Sequence, residues 1–149
     1  MKNKIIFLLI YIFFYTPLLA DSLNIQSLKI NIDKNTKVTI FEDDVVAKDD
    51  ANNVLKTNYA EYKKEFKLLE STGKTTILTS EGYFISGKNM TFDKINNLIK
   101  SNEPATVDDP ESNKIYLEKF EYSTKDKFFK SSGNIKVIDS KNNSYNFSQ

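Results

Sequence analysis

The amino-acid sequence predicts an all-β protein, a sandwich or jelly roll built from repeated strand–turn–strand units. The main observation is an internal repeat: YKKEFKLLESTGKTTI at residues 62–77 aligns without a gap with YSTKDKFFKSSGNIKV at residues 122–137. The turns expected at Asp44, Gly73, Pro104 and Gly133 are spaced 29, 31 and 29 residues apart. A fixed period indicates that each unit buries its apolar face by stacking on its neighbours.

The first residues have the layout of a secretory signal peptide. Lys2 and Lys4 form a basic start, residues 5–14 are an unbroken apolar run, and Ala20 is a small residue before the polar Asp21. The alternative, a transmembrane anchor, would be short at residues 5–20. We therefore predict a signal peptide at residues 1–20, and one domain at residues 21–149 with enough chain for a hydrophobic core.

The rest of the chain alternates apolar and polar residues in short runs, which is typical of strands. The interpretation for residues 59–69 is strand–turn–strand instead of an amphipathic helix, because Ser123, Thr124 and Asp126 in the second copy are poor helix formers. Strands are expected at residues 28–32, 38–40, 45–48, 54–62, 75–79, 83–86, 90–92, 105–109, 114–122, 127–132, 134–139 and 145–147. Turns are expected at residues 42–44, 49–53, 80–82 and 93–97, where Asp, Asn and Gly supply local hydrogen bonds or left-handed backbone.

The composition excludes several kinds of function. The chain has no His and no Cys, so it lacks the commonest general base, the usual zinc ligands and every disulfide. We predict no catalytic residue, no metal site and no cofactor, and we interpret the acid pairs at residues 43–44 and 108–109 as turn residues. All basic residues are Lys, and removing residues 1–20 changes the formal charge from +1 to −1, which argues against nucleic-acid binding.

Two interpretations of the inner apolar face remain open on pattern alone. A closed sandwich would bury the alternating Ile, Leu, Val, Phe and Tyr residues as a dry core. A stack of repeats with one long apolar face could instead stay open and hold an acyl chain.

Three segments resemble the repeating unit of the OstA-like lipopolysaccharide transport family. They are FEDDVVAKD at residues 41–49, LKTNYAEY at residues 55–62 and STG at residues 71–73. The family pattern is FEGNV, then LxADxAxY, then AxGxV; Asp43 and Asp44 replace its Gly-Asn, and Thr57 and Asn58 replace its Ala-Asp. The resemblance extends over residues 23–147. Within the family it is greatest to the N-terminal periplasmic domain of the outer-membrane assembly component, and the soluble bridge component comes next.

The resemblance implies a fold, a function and partners. The fold would be an open β-jelly roll whose groove carries the acyl chains of lipopolysaccharide across the periplasm of a Gram-negative bacterium, driven by ATP hydrolysis elsewhere. Neighbouring jelly-roll domains would pair through edge strands near residues 28–32 and 135–138, and a membrane β-barrel would follow in the assembly component. Alternation then gives these groove candidates: Ile30, Ile32, Val38, Ile40, Ile85, Phe92, Ile115, Leu117, Ile135 and Val137.

Two alternative functions are also considered. A structural or adhesin-like β-repeat module would have a closed core and no lipid ligand. A carboxylate-only enzyme acting on polysaccharide would need an exposed aromatic platform beside paired acids, and the sequence shows no such cluster.

Overall fold

The computed structural model describes residues 23–148, so the predicted signal peptide lies outside the described residues. Within this part the chain forms 13 strands and one short 3-10 helix, Lys64–Phe66. The strands are β1 Asn24–Gln26, β2 Lys29–Asp33, β3 Val38–Lys48, β4 Val54–Lys63, β5 Leu68–Ser71, β6 Lys74–Leu78, β7 Phe84–Lys88, β8 Thr91–Asp93, β9 Leu98–Ser101, β10 Ala105–Asp108, β11 Lys114–Ser123, β12 Phe128–Ile138 and β13 Ser144–Phe147. No helix among residues 23–148 has the length and apolar character to cross a membrane.

All strand pairs are antiparallel, and the all-β prediction is confirmed. The strand–turn–strand interpretation of residues 59–69 is also confirmed, because β4 runs to Lys63, the 3-10 turn follows, and β5 begins at Leu68. Lys67 closes that turn with a φ of +45° and donates its backbone N–H to the Lys64 carbonyl. This backbone reversal sends β5 back alongside β4.

The strands form two layers that share four long strands, β3, β4, β11 and β12. One half of β4, residues 60–63, pairs with β5, and the other half, residues 54–57, pairs with β6. β11 divides in the same way between β9 and β10. The first layer therefore contains β2, β5, β8 and β9, and the second layer contains β1, β6, β7, β10 and β13, each completed by halves of the long strands.

The long strands change layer at bulges. The ladder between β3 and β4 shifts register between Glu42 and Val45, and the ladder between β11 and β12 shifts between Leu117 and Lys119. Asp43, Asp44 and Gly133 have positive φ at these points. The turns predicted at residues 42–44 and at Gly133 are therefore wrong, because a bulge bends a continuous strand and does not end it.

The bulges line up with breaks between shorter strands. β5 ends and β6 begins around residues 72–73, and β9 ends and β10 begins around residues 102–104. We call this line, formed by residues 43–44, 72–73, 102–104 and 133, the crease. Along it, backbone passes directly from one layer to the other.

The repeat has a period of 30 residues, close to the predicted spacing. Positive φ recurs at Lys37, Lys67, Asn97 and Lys127, in the turns that end the first layer. It also recurs at Asn52, Gly82, Ser112 and Asn142, in the turns that end the second layer. Each 30-residue unit thus supplies one outer turn to each layer.

Three of the four second-layer turns described above share a hydrogen-bonding pattern. In the turn at residues 109–113, the Asp109 carboxylate accepts bonds from the backbone N–H of Asn113 at 2.8 Å and from its side-chain amide at 2.7 Å. The turns at residues 49–53 and 139–143 repeat this pair of bonds. The interpretation of the acidic residues at 49–53 and of Asp109 as turn residues is therefore confirmed, whereas the other member of the pair, Asp108, is the last residue of strand β10.

The two layers enclose one hydrophobic core. Its buried members come from both layers, among them Leu69 and Phe92 from the first and Leu55 and Ile77 from the second. In a chain without disulfides, burial of this shared face is the main favourable term in the free energy of folding.

Truncation of a core residue tests this arrangement. We expect Leu55→Ala to lower the free energy of unfolding by about 2–5 kcal/mol, because Leu55 is fully buried between the layers. Leu28→Ala is the control, since Leu28 is 74% exposed, and we expect a change within about 0.5 kcal/mol. Urea unfolding followed by circular dichroism measures both; equal losses would contradict the two-layer core.

Candidate functional site

The candidate site is the inner face of the two layers, which carries two rows of side chains across the strands. In the second layer, each residue of one row lies directly opposite the next in the strand register. This row contains Ile25, Ala47, Leu55, Ile77, Ile85, Val107, Ile115, Val137 and Tyr145. All nine strands of the layer thus contribute an apolar or aromatic side chain.

The first layer carries a matching row. It contains Ile32, Thr39, Tyr62, Leu69, Phe92, Ile99, Tyr122 and Phe129. Only Thr39 interrupts the series of apolar and aromatic residues. The two rows face each other, since their central members belong to one core cluster.

Exposure along the rows changes from the ends to the middle. Leu55, Ile77, Phe92 and Ile99 are completely buried, whereas Ile32 is 68% exposed at the N-terminal end. At the C-terminal end Tyr145 is 47% exposed. The protein's own side chains therefore fill the middle of the inner face, and apolar surface is open to solvent at both ends.

A cavity lies at each open end. The N-terminal cavity, of about 700 Å³, is lined by Ile32 and Thr39 of the inner row and by Lys34, Lys37 and Lys64. The C-terminal cavity, of about 430 Å³, is lined by residues that include Leu117, Ile135 and Phe147. The N-terminal cavity therefore includes two members of the first-layer row, and the C-terminal cavity lies beside the end of the second-layer row, with apolar residues of β11, β12 and β13 in its lining.

Most of the candidates from the sequence lie on this inner face. Ile85, Phe92 and Leu117 are buried there, and Ile115, Ile135 and Val137 occupy half-buried positions of the second layer. Ile30 and Ile32 lie on the inner side of edge strand β2, opposite Phe41 and Thr39.

Val38 and Ile40 lie on the other face of the sheet. Residues two apart in a strand share a face, and Phe41 is the buried inner residue of this part of β3. Ile40 and Val38 instead lie opposite Glu61 and Lys63 of β4, on the outer side. The alternation of polar and apolar residues did not identify the inner face of this segment. The inner residue, Thr39, is polar, and its two neighbours on the outer face are apolar.

The long side opposite the crease is closed by contacts between turns, and we call it the seam. The first-layer turns at residues 94–97 and 124–127 meet the second-layer turns at residues 49–53 and 79–83. Two groups of polar side chains, here called latches, make these contacts.

The first latch is an ion pair centred on a buried lysine. Lys94 is 4% exposed, and its Nζ lies 2.6 Å from Asp50 Oδ1 and 3.6 Å from Asp49 Oδ2. The hydrogen bond from Lys94 holds the pKa of Asp50 below its ordinary value. A buried ammonium is tolerated only when it is paired, so this contact links the positions of the two turns.

The second latch surrounds Glu81. Its carboxylate accepts hydrogen bonds from Lys127 Nζ and from the hydroxyl of Tyr122, both on the first layer. Burial opposes ionisation, but the bonds from Lys127, Tyr122 and Ser80 outweigh it and lower the pKa of Glu81 from 4.5 to about 2. Burial and the bond to Glu81 raise the pKa of Tyr122.

Aromatic rings extend the second latch into the inner face. The Phe129 ring lies edge-on to Tyr83 at 5.1 Å and tilted against Tyr122 at 4.6 Å, measured between centroids. Such contacts add about 0.5–1.5 kcal/mol each beyond area burial. Sequence reasoning missed both latches, because residues 50 and 94, and residues 81 and 127, are far apart in the chain and only layer packing brings them together.

Several acidic residues of the described chain are held in turns and ion pairs. No group of three or more carboxylates among residues 23–148 is placed to hold a metal ion. Asp109 is committed to its turn, and Asp43 at the crease lies 2.7 Å from Lys29 Nζ. What the arrangement offers is apolar surface closed by polar latches.

The second latch gives a pH dependence that can be measured. Because the pKa of Glu81 is lowered on folding, its contribution to stability is present above about pH 4.5 and is lost as the pH falls towards 2. We expect Glu81→Gln to reduce stability at pH 7 and to flatten the dependence of the unfolding free energy between these pH values. Glu111→Gln is the control, since Glu111 is exposed and forms no ion pair with another residue of the described range 23–148. Urea titrations at stepped pH measure this; parallel pH profiles for wild type and Glu81→Gln would contradict it.

The chain was compared with known proteins. No protein-family model and no curated protein sequence matches it. Among solved structures, it is similar to LptH, the LptA-homologous periplasmic component of the lipopolysaccharide transport device of Pseudomonas aeruginosa, with a TM-score of 0.65 and 15% identity. The match covers 87% of this chain and 96% of that chain. The match shows that this chain has the β-jelly-roll fold of LptH, which is the fold that the resemblance drawn from the sequence implied.

Proposed function

We propose that this protein binds the acyl chains of lipopolysaccharide along its inner face and passes the lipid across the periplasm towards the outer membrane. The observation that carries this proposal is the pair of apolar rows that crosses every strand of both layers. A domain of this size needs a core, but a core does not need to continue as exposed apolar surface at both ends. Ile32 at one end and Phe147 at the other give the inner face this continuity.

A carrier of this kind needs no catalytic residue. Apolar side chains hold acyl chains by burial of area, at about 25 cal/mol per Å². Movement along the face requires that neighbouring positions bind with similar strength, which a row of Ile, Leu, Val and Phe residues provides. The energy for directional transport would come from another component.

The neighbouring partners would be further jelly-roll domains, joined by strand addition at the open edges. At the N-terminal edge, Leu28 donates its N–H to the Asp43 carbonyl, so by alternation the N–H groups of Lys29 and Asn31 point away from β3. An incoming strand can pair with those groups.

At the C-terminal edge the expectation for residues 135–138 is wrong, because β13 covers them. Among the described strands, residues 128–132 of β12 pair only with β11, and β13 pairs only with β12, so each has one open side. These segments are the C-terminal edge available to a neighbour.

Within the family, we favour the soluble periplasmic bridge over the domain of the outer-membrane assembly component. The sequence favoured the assembly component, but LptH, an LptA-homologous component, is matched over nearly its whole length. A location in the periplasm, reached through the predicted signal peptide, follows from this assignment.

One observation favours a second candidate, a structural β-repeat module without a lipid ligand. The middle of the inner face is fully packed, with Leu55, Ile77, Ile85 and Phe92 inaccessible to solvent. If this packing persists in the cell, no acyl chain can reach these residues.

Photo-crosslinking in cells distinguishes these functions. A diazirine amino acid close in size to Leu is placed at Ile85, Phe92 or Leu117, and at exposed Lys88 or Lys119 as controls. We expect lipopolysaccharide to be captured from the inner positions, at least tenfold more than from the controls. A folded protein that captures none at any inner position would favour the structural module.

Strand addition has a separate test. We expect Asn31→Pro to abolish co-purification with a neighbouring jelly-roll domain, because proline removes an outward N–H without breaking the bonds between β2 and β3. Asn31→Ala is the matched control and should co-purify normally. Normal co-purification of folded Asn31→Pro would exclude this edge as the docking site.

A further inference from the structure

The two long sides of the jelly roll are held together by different kinds of interaction. Along the crease, the covalent backbone of β3, β4, β11 and β12 passes from layer to layer. Across the seam, the described contacts are made by side chains of the two latches and the aromatic rings beside the second latch. Separation of the layers at the crease would break strand ladders, whereas separation at the seam would not.

The packed middle of the inner face requires some separation if lipid is to reach it. Leu69, Phe92 and Ile99 of the first layer and Leu55, Ile77 and Ile85 of the second have no accessible surface. Close-packed side chains leave no room for an acyl chain unless the layers move apart.

We propose that acyl chains reach the inner face laterally, through the seam, and that the two latches hold this entrance closed when the site is empty. The inference rests on the proposed function and adds the route by which the ligand enters. In it, the layers hinge at the crease, and Lys94 separates from Asp50 while Glu81 separates from Lys127 and Tyr122.

The chemistry of the latches suits reversible opening. If the seam were apolar, opening it would expose apolar surface to water, and no favourable interaction would offset that cost. When an ionic latch opens, Lys94 and the carboxylates regain hydration that offsets the lost Coulomb attraction. The closed and open states are then closer in free energy than they would be with an apolar seam, and lipid binding can shift the population between them.

The position of the latches also fits this role. They lie over the middle of the molecule, at residues 49–53 with 94–97 and at residues 79–83 with 124–127. This is the section where the inner face is fully packed. Towards the N-terminal end, the apolar row is already exposed at Ile32.

Covalent closure of the seam tests the proposal, and the chain has no native cysteine to interfere. Asp50→Cys and Lys94→Cys are combined and joined with a short bismaleimide that contains a reducible disulfide; Glu81→Cys with Lys127→Cys forms a second, independent pair. Lys56→Cys with Thr76→Cys is the matched control, because these positions lie opposite each other on the outer side of one layer. Circular dichroism establishes that each product is folded.

The readout is binding of fluorescent lipid A to the purified protein. We expect each seam crosslink to slow or weaken binding at least tenfold, the control crosslink to have no effect, and reduction of the linker to restore binding in the same sample. The uncrosslinked seam pairs, with their thiols alkylated, should bind faster than wild type because their latches are missing.

Two results would contradict these expectations in distinguishable ways. Binding to the seam-locked proteins at the rate of the control would overturn the lateral entrance and leave the proposed function intact, with entrance from the ends. An absence of binding to wild type and to every variant would overturn the proposed function, and the lateral entrance with it.

Discussion

Each layer of this protein has one apolar side, and within residues 23–148 the apolar side of the other layer covers it. The short strands cannot meet this need alone, since strands such as β5 and β9 are only four residues long. Their stability depends on the long strands that pass through the crease and on the rows that meet between the layers. With no disulfide to supplement burial, loss of this shared face would remove the main favourable contribution to folding.

The same face is the best candidate for lipid binding, which places two demands on one surface. A core is most stable when it is packed and dry, whereas a carrier must admit an acyl chain. The structure separates these demands in space. The middle is packed, the ends are exposed, and the side that does not carry the backbone between layers is closed by ion pairs and hydrogen bonds between side chains.

Much of this architecture could be predicted from the sequence. Alternation identified most strands, and the offset of 60 residues between the copies at residues 62–77 and 122–137 equals two of the 30-residue periods seen in the turns. The resemblance drawn from residues 41–49, 55–62 and 71–73 agrees with the fold shared with LptH. These features are local or periodic, so a single sequence contains them.

Features that depend on register or on packing between layers were beyond sequence reasoning. Asp43 and Gly133 are residue types that are common in turns, but they lie in bulges. Residue type did not distinguish the two structures, because turns and bulges both use positive φ. Val38 and Ile40 alternate as inner residues do, yet the bulge at residues 43–44 and the pairing with β4 place them on the outer face. In the sequence Lys94 cannot be distinguished from a surface lysine, because its contact with Asp50 depends on the packing of the two layers.

In the proposed mechanism, lipid occupies the inner face by separating the layers at the seam while the crease stays intact. Amide hydrogen exchange, measured by mass spectrometry with and without lipid A, tests it most directly. We expect lipid A to speed amide exchange in the turns at residues 49–53, 79–83, 94–97 and 124–127 and to leave exchange at residues 43–44 and 133 unchanged. A lipid complex with unchanged exchange in all four turns, or with faster exchange only at the crease, would contradict it.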